Sequence, residues 1–184
     1  YENTSGSWSQ IGQDIDGEAA GDQSGYSVSL SSDGNTVAIG APANDGNGNN
    51  SGHVRIYENT SGSWSQIGQD IDGEAADDYS GYSVSLSSDG NTVAIGAYGH
   101  DGYLNSSLPW QGHVRIFENI GGSWSQIGQD IDGESAGDRS GASVSLSSDG
   151  NTVAIGAYYN DGNGLEAGHV RIYENTGGSW SQIG

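Results

Sequence analysis

Acidic side chains recur in short turns of this sequence, and they are the residues best suited to chemistry. Each turn carries three Asp and one Glu at matching positions. Carboxylate oxygens in Gly-containing turns are ligands that a hard cation such as Ca²⁺ prefers, although solvated acidic turns have the same composition. The turns are therefore candidate calcium sites. The candidate ligands are Asp14, Asp16, Glu18 and Asp22, then Asp70, Asp72, Glu74 and Asp78, and then Asp130, Asp132, Glu134 and Asp138.

Histidine and arginine recur as a pair at a second set of matching positions. His53 stands two residues before Arg55, and the same pair appears at 113 and 115 and at 169 and 171. A residue renewed in every repeat usually serves the repeat itself, so we interpret these pairs as structural strand residues with carboxylates nearby. The sequence has no Cys, and no Ser lies on the strand-to-helix turn that places the G-x-S-x-G serine of a nucleophile elbow. We therefore expect no enzymatic activity.

One loop differs from its counterparts because it is longer and carries apolar residues without equivalents elsewhere. These residues are Tyr103, Leu108 and Trp110. Non-repeating apolar residues on a loop are where ligand specificity can lie, for example toward a glycan or a protein. They can equally serve to cover the edge of a sheet, and the sequence leaves both interpretations open.

Four Asn residues stand in N-glycosylation sequons. In a secreted eukaryotic protein, such residues would be glycan sites on surface loops. Sequons also arise by chance in a chain rich in Asn, Ser and Thr. The four are Asn3, Asn49, Asn59 and Asn105.

All of these residues belong to an internal repeat. The phrase Gly-Ser-Trp-Ser-Gln-Ile-Gly contains Trp8, Trp64, Trp124 and Trp180 in its successive copies, which we interpret as packing residues. Residues 1–12 differ from 173–184 only at Ser5 and Gly177, so the chain reads as three repeats plus a duplicated stub. We assign repeats to 1–52, 53–112 and 113–168 and a partial repeat to 169–184.

Each repeat predicts four short strands and no helix. Apolar residues alternate with Ser over 26–30, which is the period of a half-buried strand. Asp33-Gly34 marks a tight turn. The next run, 36–41, contains small residues and Gly40, which indicates a strand buried on both sides with a close neighbour over Gly40. Two further strands begin at His53 and Trp64.

Four antiparallel strands in a repeat of about 40–60 residues are typical of a β-propeller blade, which must stack on other blades to bury its faces. The sequence therefore predicts an all-β protein of tandem four-stranded antiparallel blades. Because propeller rings have about 4–8 blades, three blades form either an open array or part of a larger propeller.

The repeat resembles the FG-GAP repeat of extracellular bacterial and algal proteins, which is related to the blades of integrin α-subunit propellers. Gly40-Ala41-Pro42 matches the GAP element, with weaker matches at 96–98 and 156–158, and Ser24-Gly25 stands in the place of FG. The resemblance implies a β-propeller fold and an extracellular or cell-surface role in adhesion or surface structure. The integrin-like version has a calcium loop between these elements, where this chain has the short turn 32–35 with one carboxylate.

Charge and composition exclude several classes of partner. The chain has 24 acidic and 4 basic residues, which give a formal net charge of −20. Such a chain repels nucleic-acid phosphates and anionic lipid headgroups. No apolar run approaches the roughly 20 residues that a membrane span needs. We therefore expect neither a nucleic-acid partner nor membrane insertion.

Two functions remain open from the sequence. In the first, the chain is a non-enzymatic extracellular structural or adhesive protein whose blades continue into other copies, or into further blades of a longer chain, as a fibre or surface array. Exchange of strands at the ends would then hide exposed sheet edges. In the second, it is a ligand-binding propeller module for a glycan or protein, with calcium as its candidate cofactor.

Overall fold

The computed structural model describes residues 1–100 and 110–184, and within these ranges the chain is all-β, as predicted. Among the described residues, no helix has the length and apolar character needed to cross a membrane. The strands are β1 (Glu2–Thr4), β2 (Ser7–Ser9), β3 (Ser27–Leu30), β4 (Thr36–Ala41), β5 (His53–Thr60), β6 (Ser63–Gln66), β7 (Ile71–Asp72), β8 (Ser83–Leu86), β9 (Thr92–Ala97), β10 (His113–Ile120), β11 (Ser123–Gln126), β12 (Ile131–Asp132), β13 (Ser143–Leu146), β14 (Thr152–Ala157), β15 (His169–Thr176) and β16 (Ser179–Gln182).

The strands form three antiparallel blades and one terminal hairpin. Blade 1 has the order β3-β4-β5-β6 with β7 on β5, blade 2 the order β8-β9-β10-β11 with β12 on β10, and blade 3 the order β13-β14-β15-β16. Strands β1 and β2 form a separate hairpin. Because β4 pairs with β5, a repeat boundary at residue 53 falls between two strands of one sheet. The sequence repeat and the blade therefore differ in phase.

Each blade has two apolar faces of different composition, which we call the forward face and the rear face. The forward face of one blade packs on the rear face of the next, and the two buried clusters that result are the core. Between blades 1 and 2, the forward face contributes Ala38, Val54 and Ile56, and the rear face contributes Leu86, Val93, Ile95, Phe117 and Trp124. Between blades 2 and 3, the corresponding residues are Ala94, Val114 and Ile116, and Leu146, Val153, Ile155, Tyr173 and Trp180.

Glycine sets the distance between neighbouring blades. A methyl group on Gly40 would collide with the backbone carbonyl oxygen of Gly81, so the close neighbour predicted over Gly40 is confirmed. The hydroxyl of Ser27 donates to the same carbonyl oxygen at 2.7 Å. Gly96 meets the carbonyl of Gly141 in the same way between blades 2 and 3. The second strand of each of these blades therefore lies too close to the residues before the first strand of the next blade for any side chain at Gly40 or Gly96.

The repeated Trp side chains join each blade to the segment before it. The indole Nε1 of Trp124 donates to the carbonyl of Ile67 at 2.9 Å, and that of Trp180 donates to Ile127 at 3.0 Å. Trp64 makes the same bond to Ile11 at 3.1 Å. The terminal hairpin therefore holds, relative to blade 1, the position that the last hairpin of a preceding blade would hold.

The two ends of the stack leave apolar faces open to solvent. On the rear face of blade 1, Val28 and Leu30 are 62 % and 60 % exposed. On the forward face of blade 3, Val170 and Ile172 are 65 % and 41 % exposed. Their counterparts inside the stack, such as Ile116, are buried. Exposure at the ends thus reflects the lack of a neighbouring blade in this structure rather than a different residue type.

Candidate functional site

The four carboxylates of an acidic turn have different structural partners. In the first turn, the Asp14 carboxylate accepts a hydrogen bond from the Gln10 side chain at 2.8 Å. Asp22 is buried and accepts from the backbone N–H of Ala19. The second and third turns repeat these bonds: Asp70 accepts from Gln66, Asp130 from Gln126, Asp78 from Ala75 and Asp138 from Ser135. These carboxylates hold the turn and its neighbouring strand in place.

The remaining two acidic residues of each turn contact the following blade. The Arg55 guanidinium donates to the backbone carbonyl of Asp16 at 2.7 Å and lies 3.8 Å from the Glu18 carboxylate. His53 Nδ1 lies 3.8 Å from Glu18 and also from Asp70. The same contacts recur for Arg115 with Asp72 and Glu74, and for Arg171 with Asp132 and Glu134. The His–Arg pair therefore joins each acidic turn to its blade.

Metal-capable side chains converge in four groups among the described residues. Every group contains at least one His, and none consists of the carboxylates of one turn alone. The groups are Glu18, His53 and Asp70; Glu74, His100 and His113; His113, Asp130 and Asp132; and Glu134, Asp138 and His169. The predicted calcium ligands are thus divided among groups that mix imidazole with carboxylate, and calcium binding by the turns stays a prediction.

His113 belongs to two of these groups and is their most deeply buried residue. The residue is 0 % exposed, and neither ring nitrogen has a hydrogen-bond partner among the described residues. Burial, with a smaller contribution from the nearby His100 and Arg115, lowers the pKa of His113 to about 2. Burial also raises the pKa of Glu74. The imidazole of His113 is therefore neutral at physiological pH.

A band of aromatic side chains links blades 1 and 2. We call Tyr26, Tyr79, Tyr82, Tyr98 and Trp110 the aromatic band. Tyr98 stacks between Tyr79 and Trp110, with ring centroids 5.3 and 5.6 Å away. Tyr82 meets Tyr98 edge-on at 4.4 Å and Tyr26 at 4.8 Å. Burial within this band raises the pKa of Tyr98 to about 12.

Arg139 extends the aromatic band toward blade 3. Its guanidinium carbon lies 5.3 Å from the Trp110 ring centroid and 4.4 Å from that of Tyr159. Its Nη1 donates to the Tyr158 hydroxyl at 2.8 Å. Aromatic faces attract a guanidinium, so Arg139 holds the rings of the second and third blades together.

Of the predicted binding-loop residues, Trp110 lies in this band, while Tyr103 and Leu108 lie outside the described residues. The sequon Asn105 also lies outside them. Asn3 and Asn59 each accept a hydrogen bond from a backbone N–H three residues on. Asn49 donates to Asp77. Glycan attachment at the sequons stays a prediction.

The blade pattern can be compared with known families. The sequence model of the FG-GAP repeat matches residues 15–57, 71–110 and 131–173, which together make up more than half of the chain. The chain belongs to the FG-GAP repeat family. No curated protein sequence matches it significantly.

Solved structures share the fold of these FG-GAP blades. A putative 6-phosphogluconolactonase from Bacteroides uniformis is similar over 86 % of this chain, with a TM-score of 0.57 and 16 % identity, and 39 % of that protein is covered. Sqt1 from Saccharomyces cerevisiae is similar over 89 % of this chain, with a TM-score of 0.52, 14 % identity and 35 % of that protein covered. Hydrazine synthase from Kuenenia stuttgartiensis has a TM-score of 0.50 and 16 % identity over 85 % of this chain and 36 % of its own. The FG-GAP chain spans less than two fifths of each of these proteins, and the likeness concerns the fold alone.

The calcium loop of integrin-like FG-GAP repeats does not fit the turn that replaces it here. The Asp33 carboxylate accepts hydrogen bonds from the Ser31 hydroxyl at 2.7 Å and from the backbone and side chain of Asn35. These bonds, the Ser31 bond first, lower the pKa of Asp33 to about 2. Because the turn's one carboxylate already closes the β3–β4 hairpin, the turn cannot supply the six to eight oxygens that Ca²⁺ needs.

Sequence reasoning missed most of the aromatic band and the environment of His100. A comparison of the FG-GAP repeats with one another would have found both. Tyr79 and Arg139 occupy the position of Gln23, and Tyr98 occupies that of Pro42. The aromatic and cationic residues thus stand where the repeats differ, whereas the residues that repeat maintain the blades.

Proposed function

We propose that this FG-GAP chain is a non-enzymatic structural or adhesive protein whose blades continue by end-to-end docking of copies. The observation that carries the proposal is the pair of open faces at the ends. Blade 3 exposes the forward-face residues Val170 and Ile172, and blade 1 exposes the rear-face residues Val28 and Leu30. The same pair of faces is buried together twice inside the chain.

The internal junctions supply the geometry for docking. At a third junction of the same kind, Gly156 of one copy would face the carbonyl of Gly25 in the next, as Gly40 faces Gly81. Ser143 would donate to that carbonyl, as Ser27 donates to Gly81. Contacts that have already formed twice would therefore form again without a new type of interface, and an interface that does not close produces a filament.

The terminal hairpin determines how docking would proceed. Residues 1–12 lie where the last hairpin of an incoming blade 3 belongs, because Trp64 already donates to Ile11. The incoming segment 173–184 differs from 1–12 only at Ser5 and Gly177. Its Ile183 can replace Ile11 as the acceptor, so exchange conserves the hairpin contacts and adds those of a whole sheet.

The family and the net charge of the chain indicate where such an array would lie and which partners it would avoid. FG-GAP repeats are typical of extracellular or surface proteins, and we place the chain outside the cell or at its surface. Its net charge of −20 opposes nucleic-acid and anionic-membrane partners. The His–Arg pairs contact the acidic turns and join them to the blades. The proposal therefore gives these pairs a structural role and includes no catalytic step.

Gly156→Ala is expected to block assembly without unfolding the chain. An added methyl group at Gly156 approaches only the Ser143 side chain closely within one copy, but it would collide with the carbonyl of a docked copy. We expect wild-type particles that lengthen with concentration in electron microscopy and light scattering, and Gly156→Ala particles that stay monomeric with a nearly unchanged melting temperature.

Ile120→Thr is the matched control for exposed apolar surface. Ile120 is 62 % exposed at a hairpin away from both end faces, and the other repeats have Thr at this position. This variant should assemble like the wild type. Assembly of Gly156→Ala to the wild-type extent, or a wild-type chain that stays monomeric at millimolar concentration, would contradict end-to-end docking.

The aromatic band supports a second candidate function, which is glycan binding. Stacked, partly exposed rings present apolar faces to a sugar, and Tyr26 at the end of the band is 51 % exposed. Trp110 lies at the other side of the band, stacked on Tyr98. A ligand that bridges the blades through this band would make the chain adhesive rather than only structural.

Trp110→Asn tests this second function. Trp110 has a φ of 59°, and the matching residue in the first repeat is Asn50 with a φ of 50°, so Asn suits the backbone there. We expect at least a tenfold loss of affinity for bound oligosaccharides on a glycan array, which corresponds to about 1.4 kcal/mol. Trp8→Asn, at an exposed Trp of the terminal hairpin, should retain binding. Equal binding by Trp110→Asn and the wild type would exclude the aromatic band as the sugar site.

A further inference from the structure

The junction between blades 1 and 2 contains a pair of stacked imidazoles that the other junctions lack. His100, in the loop after β9, lies on His113, the first residue of β10, with ring centroids 3.8 Å apart. The carboxylate of Glu74 comes from the segment that crosses from blade 1 to blade 2, and its Oε2 lies 3.9 Å from His113 Nδ1. Residues from a loop, a strand and a crossing segment thus converge at one point.

His100 stands at a position that is Asn in both other repeats. Asn44 donates to the buried Asp22 at 3.0 Å, and Asn160 donates to Asp138 at 2.9 Å. In the second repeat, His100 Nδ1 lies 3.3 Å from the matching carboxylate, Asp78. The backbone around the three positions makes the same turn bonds, since the N–H of each residue donates to the Ala three residues earlier. His100 therefore replaces an Asn without a change of fold.

The burial of His113 without a hydrogen-bond partner is the observation that points to a ligand. It is fully buried, and both of its nitrogens are without hydrogen-bond partners among the described residues. Leaving such a polar group unsatisfied costs free energy unless another partner is present. A metal ion satisfies a neutral imidazole through its nitrogen lone pair.

We propose that Glu74, His100 and His113 bind a divalent transition-metal ion of the zinc type between the first two blades. Their ligand atoms all lie within 4.8 Å of one another, a separation that small side-chain shifts can close around one ion. Two imidazoles and a carboxylate form a donor set that zinc, nickel, cobalt and copper prefer, whereas Ca²⁺ prefers oxygen alone.

Neighbouring carboxylates support the three ligands. Asp78 lies 3.3 Å from His100 Nδ1 and can orient that ring, whereas Asp130 lies 3.9 Å from His113 Nδ1, the nitrogen that also faces Glu74, and is placed as a further ligand. Carboxylates next to metal-binding imidazoles orient the rings and increase metal affinity. Arg115 contacts the other oxygen of Glu74, Oε1, at 3.8 Å, so Oε2 is the oxygen directed to the histidines. The bound ion would tie the crossing segment, the loop and β10 together.

His100→Asn tests the site while restoring the residue of the other repeats. The full chain, freed of metal with a chelator, is titrated with Zn²⁺ by calorimetry and with Co²⁺ by visible absorption, in millimolar Ca²⁺. We expect one tight Zn²⁺ site per wild-type chain and a tetrahedral or five-coordinate Co²⁺ spectrum. His100→Asn should bind at least about tenfold more weakly with unchanged secondary structure. Equal Zn²⁺ affinity of the two chains, or no Zn²⁺ binding by the wild type below about 100 μM, would overturn the proposal.

Asn44→His provides a gain-of-function test where the terminal hairpin meets blade 1. There, Glu18, His53 and Asp70 already form a group whose ligand atoms lie within 4.8 Å of one another, with Asp22 in the place of Asp78. Adding an imidazole at position 44 should raise the stoichiometry from one Zn²⁺ per chain to two. An Asn44→His chain that still binds one Zn²⁺ would show that the His–His–Glu arrangement is not sufficient and would count against the assignment.

Discussion

Gly96→Ala is expected to destabilise the chain by about 3 kcal/mol, among the largest effects of any single substitution. The added methyl group would meet the carbonyl oxygen of Gly141 and the Ser83 hydroxyl. The carbonyl belongs to the backbone of the next blade, so the clash is relieved only by moving the two blades apart. That movement would open the buried cluster between blades 2 and 3.

Gly156→Ala is the matched control for this prediction, because no neighbouring blade packs over Gly156 in this structure. Chemical denaturation at low concentration, where copies do not associate, measures both variants. We expect the Gly156→Ala midpoint to lie close to that of the wild type and the Gly96→Ala midpoint to be far lower. A similar loss in both variants would mean that the cost arises within the sheet and not between blades.

Ile116→Ala is expected to lower the free energy of unfolding by about 4 kcal/mol, since it removes three carbons from the interface between blades 2 and 3. Ile116 is 1 % exposed and belongs to the cluster that includes Trp180 and Tyr173. Its counterpart Ile172 is 41 % exposed on the open end, so Ile172→Ala should cost about 1 kcal/mol.

Thermal and urea unfolding of the Ile116→Ala and Ile172→Ala chains provide the comparison. The two substitutions are chemically identical and lie at equivalent positions of equivalent strands, β10 and β15. Equal destabilisation would show that burial between blades contributes little, which would contradict the stacking account. An Ile172→Ala chain that also loses concentration-dependent assembly would further support docking at the open end.

The blades could be predicted from sequence because their signals are local. Alternation over 26–30, the Asp33-Gly34 turn and the apolar strand around Gly40 each depend on residues close in the chain. Repetition strengthens the prediction of the strands, since the same pattern occurs in every repeat. Even the close approach over Gly40 followed from the lack of a side chain within an apolar strand.

The contacts between blades could not be predicted in the same way. Glu18 meets His53 and Arg55 only after the chain has crossed from one sheet to the next. The His100–His113 pair required a loop to fold back on a strand. Repetition even obscures this pair, because His113 has counterparts in the other repeats whereas His100 has none. The phase of the blades also differs from that of the sequence repeat, since a repeat can be cut at any point.

The alternation of forward and rear faces has a consequence for cooperativity. Blade 2 is covered on both sides, whereas blades 1 and 3 each have one complete interface. In a linear array of this kind, stability is the sum of intrinsic blade terms and nearest-neighbour terms. The end blades therefore fray first, and the middle blade opens only with the whole chain. Each blade added to the row would contribute one more coupling term, so the stability of the array increases with its length.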